Sequence, residues 1–112
     1  MKTIIAILLF TICSFAYAAG DESASRGKVV YDKYCSKCHG KNADGRGKDA
    51  HKYKPEPTNF HIAQAVRPYM VEITKKGGKG VGRSDDMPSW DGDITDQQIE
   101  DVVNYVMSVR SK

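Results

Sequence analysis

Two cysteines three positions apart, with a histidine directly after the second, constrain this chain more than any other feature: Cys35, Cys38 and His39 in the stretch YCSKCHG. The third cysteine, Cys13, lies in an N-terminal apolar segment that we expect to be removed. A disulfide across so short a spacing closes almost no loop, so it would add little stability. Because a domain of about a hundred residues has a marginal core, another stabilising group is expected.

The N-terminal segment has the pattern of a secretory signal peptide, predicted to cover residues 1–18. Lys2 supplies the positive charge, an apolar run follows, and Ala16-Tyr17-Ala18 offers a small-residue cleavage site. The apolar run is shorter than the ~20 residues that a spanning helix needs, which favours cleavage over a membrane anchor. The sequence therefore predicts an exported, periplasmic protein with a single domain in residues 19–112 and no stable membrane anchor.

The rest of the chain shows helical spacing of apolar residues and no sustained strand alternation, so the predicted fold class is all-α. Ser23 or Ser25 can cap a first helix that runs to about Cys38. Helical pattern returns in FHIAQAV and is interrupted by Pro68. Since proline suits the first turn of a helix, a further helix is predicted from there to Gly77–Gly78.

The C-terminal helix has the clearest signals. Thr95 and Gln98 have the spacing of a capping box, and Ile94 and Ile99 have that of a hydrophobic staple. The apolar residues that follow have helical spacing on one face: Ile99, Val102, Val103, Val106 and Val109.

Between the first two helical patterns lies a long loop, residues 39–59, that contains glycines and prolines and few apolar residues. A loop of this length in a compact domain is unusual unless it wraps something. An apolar prosthetic group would explain both this loop and the marginal core.

Cys35, Cys38 and His39 could serve four kinds of chemistry. A zinc site would need further ligands, and His51 and His61 do not have the usual spacing. A redox dithiol of the thioredoxin type would need a βαβ context, and a structural disulfide is weak for the reason above. The remaining hypothesis is covalent haem c, because C-x-x-C-H is its attachment signature. On a helix end, two cysteines at this spacing share a face and could form two thioethers, with His39 as the proximal iron ligand.

The second axial ligand decides between electron transfer and ligand binding, because only a filled position excludes other molecules from the iron. The candidates are Met70, Met87, Met107, His51 and His61. Met87 is favoured, since it follows a glycine-rich loop and precedes Pro88, which biases it to an extended conformation. A site with two histidines stays open as an alternative.

The charges are distributed unevenly along the chain. Residues 26–83 hold fourteen Lys and Arg against five Asp and Glu, a difference of +9, whereas residues 84–112 hold two against seven, or −5. This pattern indicates either an ordinary solvated surface or a basic face, including Lys37 and Lys41, that steers a redox partner with an acidic docking surface. Nucleic acid is not an expected partner for an exported protein with a net charge of only +3.

Several motifs together resemble one family, the monohaem class I c-type cytochromes, and especially the small bacterial periplasmic ones. They are G-K-x-x-Y-x-x-x-C-x-x-C-H-G from Gly27, P-x-P-x-x-F from Pro55, I-T-K-x-G from Ile73, M-P-S-W from Met87, and the terminal D-x-Q-I-x-D-V-V-x-Y-V. The resemblance implies a cytochrome c-like fold in which the first and last helices cross around one haem.

The resemblance also implies roles for individual residues. Cys35 and Cys38 would form the thioethers, His39 would be the proximal ligand and Met87 the distal one. At the helix crossing, Gly27 would permit close approach, with Tyr31 and Tyr105 packed beside it. A proline carbonyl often accepts a hydrogen bond from the proximal histidine in this family, which suggests Pro55 or Pro57 here. Propionate partners are more open: Arg46, His51, Tyr53 and Arg83 are candidates.

The function expected from these observations is one-electron transfer by a monomeric periplasmic carrier, without enzymatic activity of its own. Two alternatives remain: a haem c subunit of a larger oxidoreductase, and a haem enzyme or sensor in which Met87 is displaceable.

Overall fold

The computed structural model describes residues 19–110, with side chains from residue 22 onward. This part of the chain is helical and contains no strand, which confirms the all-α prediction. Its elements are α1 (Ala19–Tyr34), α2 (Ser36–His39), a 3₁₀ turn (Ala50–Lys52), α3 (Arg67–Gly80) and α4 (Asp96–Arg110). None of these helices is long and apolar enough to cross a membrane. The predicted signal peptide lies outside the described residues.

The first helix differs from the prediction at both ends. It includes residues from Ala19 onward, so Ser23 and Ser25 lie within it and neither caps it. The Ser23 hydroxyl instead donates to Asp101 Oδ1 at 2.6 Å, a partner 78 residues away that local sequence cannot reveal. At the other end, Cys35 separates α1 from the single turn of α2.

The segment FHIAQAV is not a helix, so that prediction was wrong. Residues 60–66 form a turn followed by extended chain, and Ile62 and Val66 are 75 % and 65 % exposed. The guanidinium of Arg110 donates to the carbonyls of Ala63 and Ala65 at 2.9 and 2.8 Å. These carbonyls thus have a side-chain partner from α4, which replaces the hydrogen bonds that a helix would have given them.

The predictions for α3 and α4 are confirmed in their main features. Proline lies in the first turn of α3, and the helical backbone is interrupted at Gly77, where φ is 73°. In α4 the Gln98 amide donates to Thr95 Oγ1 at 3.1 Å, and the Thr95 amide donates to Gln98 Oε1 at 2.8 Å. The staple residues Ile94 and Ile99 are both buried in the core.

Helices α1 and α4 cross at Gly27, as the resemblance implied. A Cβ atom at this position would overlap the carbonyl oxygen of Asp101, so only glycine allows the two backbones to approach this closely. The rings of Tyr31 and Tyr105 pack beside the crossing with centroids 5.1 Å apart. The Tyr31 hydroxyl donates to the Gly40 carbonyl at 2.6 Å, which ties the crossing to the turn after His39.

A buried carboxylate, Asp101, joins α1 to α4 by hydrogen bonds. It is 2 % exposed, and it accepts from Arg26 Nε at 2.8 Å, Ser23 Oγ at 2.6 Å and Gln97 Nε2 at 3.1 Å. The bond from Arg26, aided by those from Ser23 and Gln97, lowers the pKa of Asp101 to about 2, although burial opposes this shift. The crossing is therefore stabilised by an ionised side chain whose hydrogen bonds are satisfied.

This carboxylate should make stability depend on pH in the acid range. Its pKa is lower in the folded chain than its ordinary value of 3.8, so its contribution is complete above pH 4 and is lost as pH falls through about 2. We expect Asp101→Asn to reduce the free energy of unfolding by about 2 kcal/mol at pH 7, and by much less near pH 2. Denaturant unfolding of the haem-loaded protein at both pH values measures the difference. An equal loss at both would show that the charge is not responsible.

Candidate functional site

Cys35 connects α1 to α2, and Cys38 and His39 lie within the single turn of α2. The amides of Cys38 and His39 both donate to the Cys35 carbonyl, at 3.2 and 2.9 Å, so the three residues occupy one compact turn. Both thiols are free and half-buried. Burial, with a smaller effect of Cys38, raises the pKa of the Cys35 thiol to about 12. A thiol so strongly protonated is unlike the low-pKa nucleophile of a redox dithiol.

The imidazole of His39 is oriented by the loop that follows. Its Nδ1 donates to the carbonyl oxygen of Thr58 at 3.2 Å, so the expectation that Pro55 or Pro57 supplies this carbonyl was wrong. The ring also stacks on Phe60, with centroids 4.6 Å apart and planes at 25°. A proton on Nδ1 leaves Nε2 as the nitrogen with a free lone pair, the arrangement that metal-bound histidines usually have.

Electrostatics favour the same neutral form of His39. Burial lowers the pKa of the imidazole, and the hydrogen bond to the Thr58 carbonyl opposes this only in part. Thr58, which supplies the orienting carbonyl, is not among the residues predicted from the sequence. Its one sequence signal is its place in P-x-P-T-N-F, directly after Pro57.

Met87 lies in a segment that packs on the C-terminal end of α3. The carbonyl of Met87 accepts from the Gly78 amide at 2.9 Å, and the Trp90 amide donates to the Thr74 carbonyl at 3.1 Å. The side chain of Met87 is half-buried. Backbone hydrogen bonds thus hold the segment on α3, and none of them involves the thioether of Met87.

Other candidates for the second axial position are already engaged or exposed. Met70 is buried in the core, and its Sδ accepts from Arg110 at 3.3 Å. His61 Nε2 lies 2.7 Å from the Asn42 carbonyl, and His51 is exposed on the 3₁₀ turn. Met107 packs against the core from α4.

Aromatic side chains lie beside the cysteine turn. Tyr34 and Trp90 meet edge to face with centroids 5.3 Å apart, and both pack against the core while remaining partly exposed. Phe60 does the same on the side of His39. Two free thiols, an imidazole with Nε2 available and partly buried aromatic rings fit a large apolar group held by thioethers and by His39.

The alternatives for this site find less support in the described residues. Within residues 19–110, no three side chains of His, Cys, Asp or Glu come together in a group that could hold a metal ion. A zinc site would therefore lack a ligand set in that part of the chain.

Of the candidate propionate partners, Tyr53 is brought to the motif. Interaction with the side chain of Cys38 raises the pKa of the Tyr53 hydroxyl. Arg46, His51 and Arg83 are exposed. The assignment of propionate partners stays a prediction.

Comparison with known proteins agrees with this geometry. Residues 22–106 match the family model described as cytochrome c oxidase, cbb3-type, subunit III. The chain is 28 % identical to cytochrome c6 of Pyropia yezoensis over 114 residues, covering all of this chain and 94 % of that protein. Cytochrome c6 of Gloeothece citriformis is also 28 % identical, with 100 % and 98 % covered.

A third relative is longer. The cbb3-type cytochrome c oxidase subunit CcoP of Azospirillum brasilense is 30 % identical over 86 residues, which are 75 % of this chain but 28 % of that protein. The family match extends from α1 into α4 and includes Cys35, Cys38, His39 and Met87. The chain therefore belongs to the c-type cytochromes, the electron-transfer proteins with covalently attached haem c, and its Cys35 and Cys38 are consistent with the C-x-x-C-H attachment motif.

Proposed function

We propose that this protein is a periplasmic one-electron carrier in which His39 and Met87 are the two axial ligands of haem c. The observation that carries the proposal is which of the candidate ligands already have other partners in the structure. His39 presents Nε2 because Nδ1 is bound to Thr58, while Met70 and His61 are engaged elsewhere. Met87 remains the candidate whose sulfur is not committed to the core and whose backbone is held in place.

Filling both axial positions with protein side chains defines the chemistry. Haem iron supplies a one-electron couple, and no substrate has to bind it when His39 and Met87 occupy both positions. A thioether is a soft ligand that favours the reduced metal, so this pair raises the reduction potential relative to two histidines. The residues of the chain then have to hold the ligands still, exclude water and leave a path for the electron.

The partner we propose is a redox protein with an acidic docking surface. Lys37, inside the C-x-x-C-H motif, and Lys41, two residues after His39, are both exposed and belong to the part of the sequence that carries the positive excess. Opposite charges at such a surface mainly accelerate encounter, and the effect weakens with added salt. A single domain in residues 19–112, released as a monomer after signal cleavage, would suit a diffusing carrier.

A second candidate is a haem c subunit of a larger oxidoreductase. It is favoured by the match to an oxidase-subunit family and by the likeness to CcoP, of which this chain spans little more than a quarter. The two candidates share the haem and its ligands and differ in the partner. Stable co-purification with membrane-bound oxidase subunits from the native source would favour the second.

Optical spectra of the wild type beside Met87→Ala test the axial ligand. We expect low-spin haem in both oxidation states of the wild type, with a weak ferric charge-transfer band from the sulfur–iron bond. Met87→Ala should lose this band, become high-spin in part and bind CO rapidly when reduced, because the position is then open. Met107→Leu, which changes another partly buried methionine, should keep the band. If the wild type lacks the band, Met87 is not the ligand: a histidine there would leave a carrier of lower potential, and an open position would favour a ligand-binding protein.

A further inference from the structure

We propose that Gly77 is a positioning residue for Met87: the missing side chain at Gly77 lets the segment 87–90 close onto α3, and this closure keeps the sulfur from being displaced by other ligands. The inference rests on the proposed ligation by Met87. It goes further in assigning the choice between electron carrier and ligand-binding protein to a backbone contact outside the iron's own ligand set.

The steric part of the argument concerns the space around Gly77. This residue is buried and has φ 73° and ψ 174°, a conformation that disfavours any residue with a side chain. A Cβ here would lie 2.7 Å from the Ser89 amide nitrogen, 2.8 Å from the Met87 carbonyl oxygen and 2.9 Å from the Pro88 carbonyl carbon. All three atoms belong to backbone, so no side-chain rotation relieves the overlap. A side chain at Gly77 must push the segment away from α3.

The hydrogen-bonding part concerns the interruption of α3. In an unbroken helix the Gly78 amide would donate to the Thr74 carbonyl, four residues back. Because the backbone turns at Gly77, Gly78 donates instead to Met87, and Thr74 accepts from Trp90. One helical hydrogen bond is thus exchanged for two that bracket the segment carrying Met87.

Further bonds hold the same segment to the next carbonyl of the helix. The Asp91 amide donates to the Lys75 carbonyl at 3.3 Å, and the Ser89 hydroxyl donates to it as well. These are carbonyls that a helix leaves without internal partners at its C-terminal end. The segment 87–90 and the adjoining Asp91 thus supply hydrogen-bond donors to the end of α3, and these bonds hold the segment against the helix.

This arrangement bears directly on whether another molecule can reach the iron. To move its sulfur away by a backbone motion, Met87 would have to break its own bond to Gly78 and loosen those of Ser89 and Trp90. The population with an open position is therefore small, and the apparent affinity for an added ligand falls in proportion to that population. Closing the segment onto Gly77 makes the protein a carrier and keeps it from acting as a sensor.

The test compares Gly77→Ala with Gly82→Ala in the haem-loaded protein, using CO and the charge-transfer band as readouts. Gly82 is a matched control: its φ is 70°, close to that of Gly77, but a Cβ there meets nothing within 4 Å. Both variants place a side chain at a positive φ, but a Cβ meets the segment only at Gly77. We expect Gly77→Ala to retain covalent haem, to weaken the band and to bind CO at least about tenfold more tightly, while Gly82→Ala behaves as the wild type.

The outcomes separate this inference from the proposed function. A wild type without the band would overturn both, because Met87 would not be the ligand. A wild type with the band and a Gly77→Ala variant with unchanged band and CO affinity would overturn this inference alone, as would an equal change in Gly82→Ala.

If Gly77→Ala does not accumulate, Ser89→Ala is the second variant. It removes the exposed hydroxyl that donates to Lys75 and leaves the backbone intact. We expect a rise of about threefold in CO affinity, as the loss of one modest hydrogen bond predicts. An unchanged CO affinity would count against the proposal that closure of this segment onto α3 protects the bond from Met87 to the iron.

Discussion

Replacing Cys35 and Cys38 together with alanine should give a chain without covalent haem that is largely unfolded. The side chains that face the cysteine turn, including Tyr34, Phe60 and Trp90, are only partly buried by protein. Without the haem, the loop that carries Thr58 would lack the apolar surface on which it folds. Since the net stability of a small domain is about 5–15 kcal/mol, loss of its largest apolar group should remove most of it. Far-UV circular dichroism and denaturant titration measure the outcome.

Two comparisons make this experiment decisive. Cys35→Ala alone leaves one thioether, so it should retain covalent haem and a cooperative unfolding transition at lower stability. The double variant, isolated from cells that carry out haem attachment, should show neither haem absorbance after acid–acetone extraction nor a cooperative transition. A well-folded, cooperative double variant would mean that the protein's own core suffices and that haem is not central to the fold.

Gly27→Ala should destabilise the haem-loaded protein by about 3 kcal/mol. In an isolated helix this change would stabilise by up to ~1 kcal/mol, because alanine is a better helix former than glycine. At the crossing, however, the added methyl group overlaps the Asp101 carbonyl and the backbone beyond it, at Val102. The helices would have to separate, which would also strain the bonds from Ser23 and Arg26 to Asp101. The sign of the effect therefore distinguishes packing from propensity.

The measurement is guanidinium unfolding of the holoprotein, with Val29→Ala as control. Val29 is two residues along the same helix and is 70 % exposed, so its replacement should change stability by less than about 0.5 kcal/mol. A Gly27→Ala variant that is as stable as the wild type would show that the helices can part at little cost.

The parts of the fold that could be predicted from sequence are those whose determinants lie close together along the chain. The capping box of α4 joins Thr95 to Gln98, and the haem motif joins Cys35 to Cys38. In both cases a few neighbouring residues define the geometry. The interruption of α3 at Gly77 was also predicted, as the end of a helix, because glycine often ends helices.

The predictions that were wrong concern residues whose partners are far away in the sequence. Ser23 was expected to cap a helix but donates to Asp101, and the carbonyls of Ala63 and Ala65 are taken by Arg110. The carbonyl that orients His39 comes from Thr58 and not from either proline, because the path of the loop 39–59 decides which carbonyl faces the ring. Likewise, Gly77 showed itself as a helix stop but gave no sign of the segment that packs on it. The local sequence pattern does not predict which residue from a distant part of the chain will contact a given group.

The crossing of α1 and α4 also has a consequence for the order in which the molecule is built. Ser23 and Asp101 are 78 residues apart, so α1 cannot pair with α4 until almost the whole polypeptide has been made. Contacts this distant form late, after the loss of chain entropy that they require. Cys35 and Cys38, directly after α1, should therefore remain accessible in an open chain until α4 arrives. We expect haem attachment to act on the unfolded polypeptide, with pairing of α1 and α4 as the step that follows and locks the group in place.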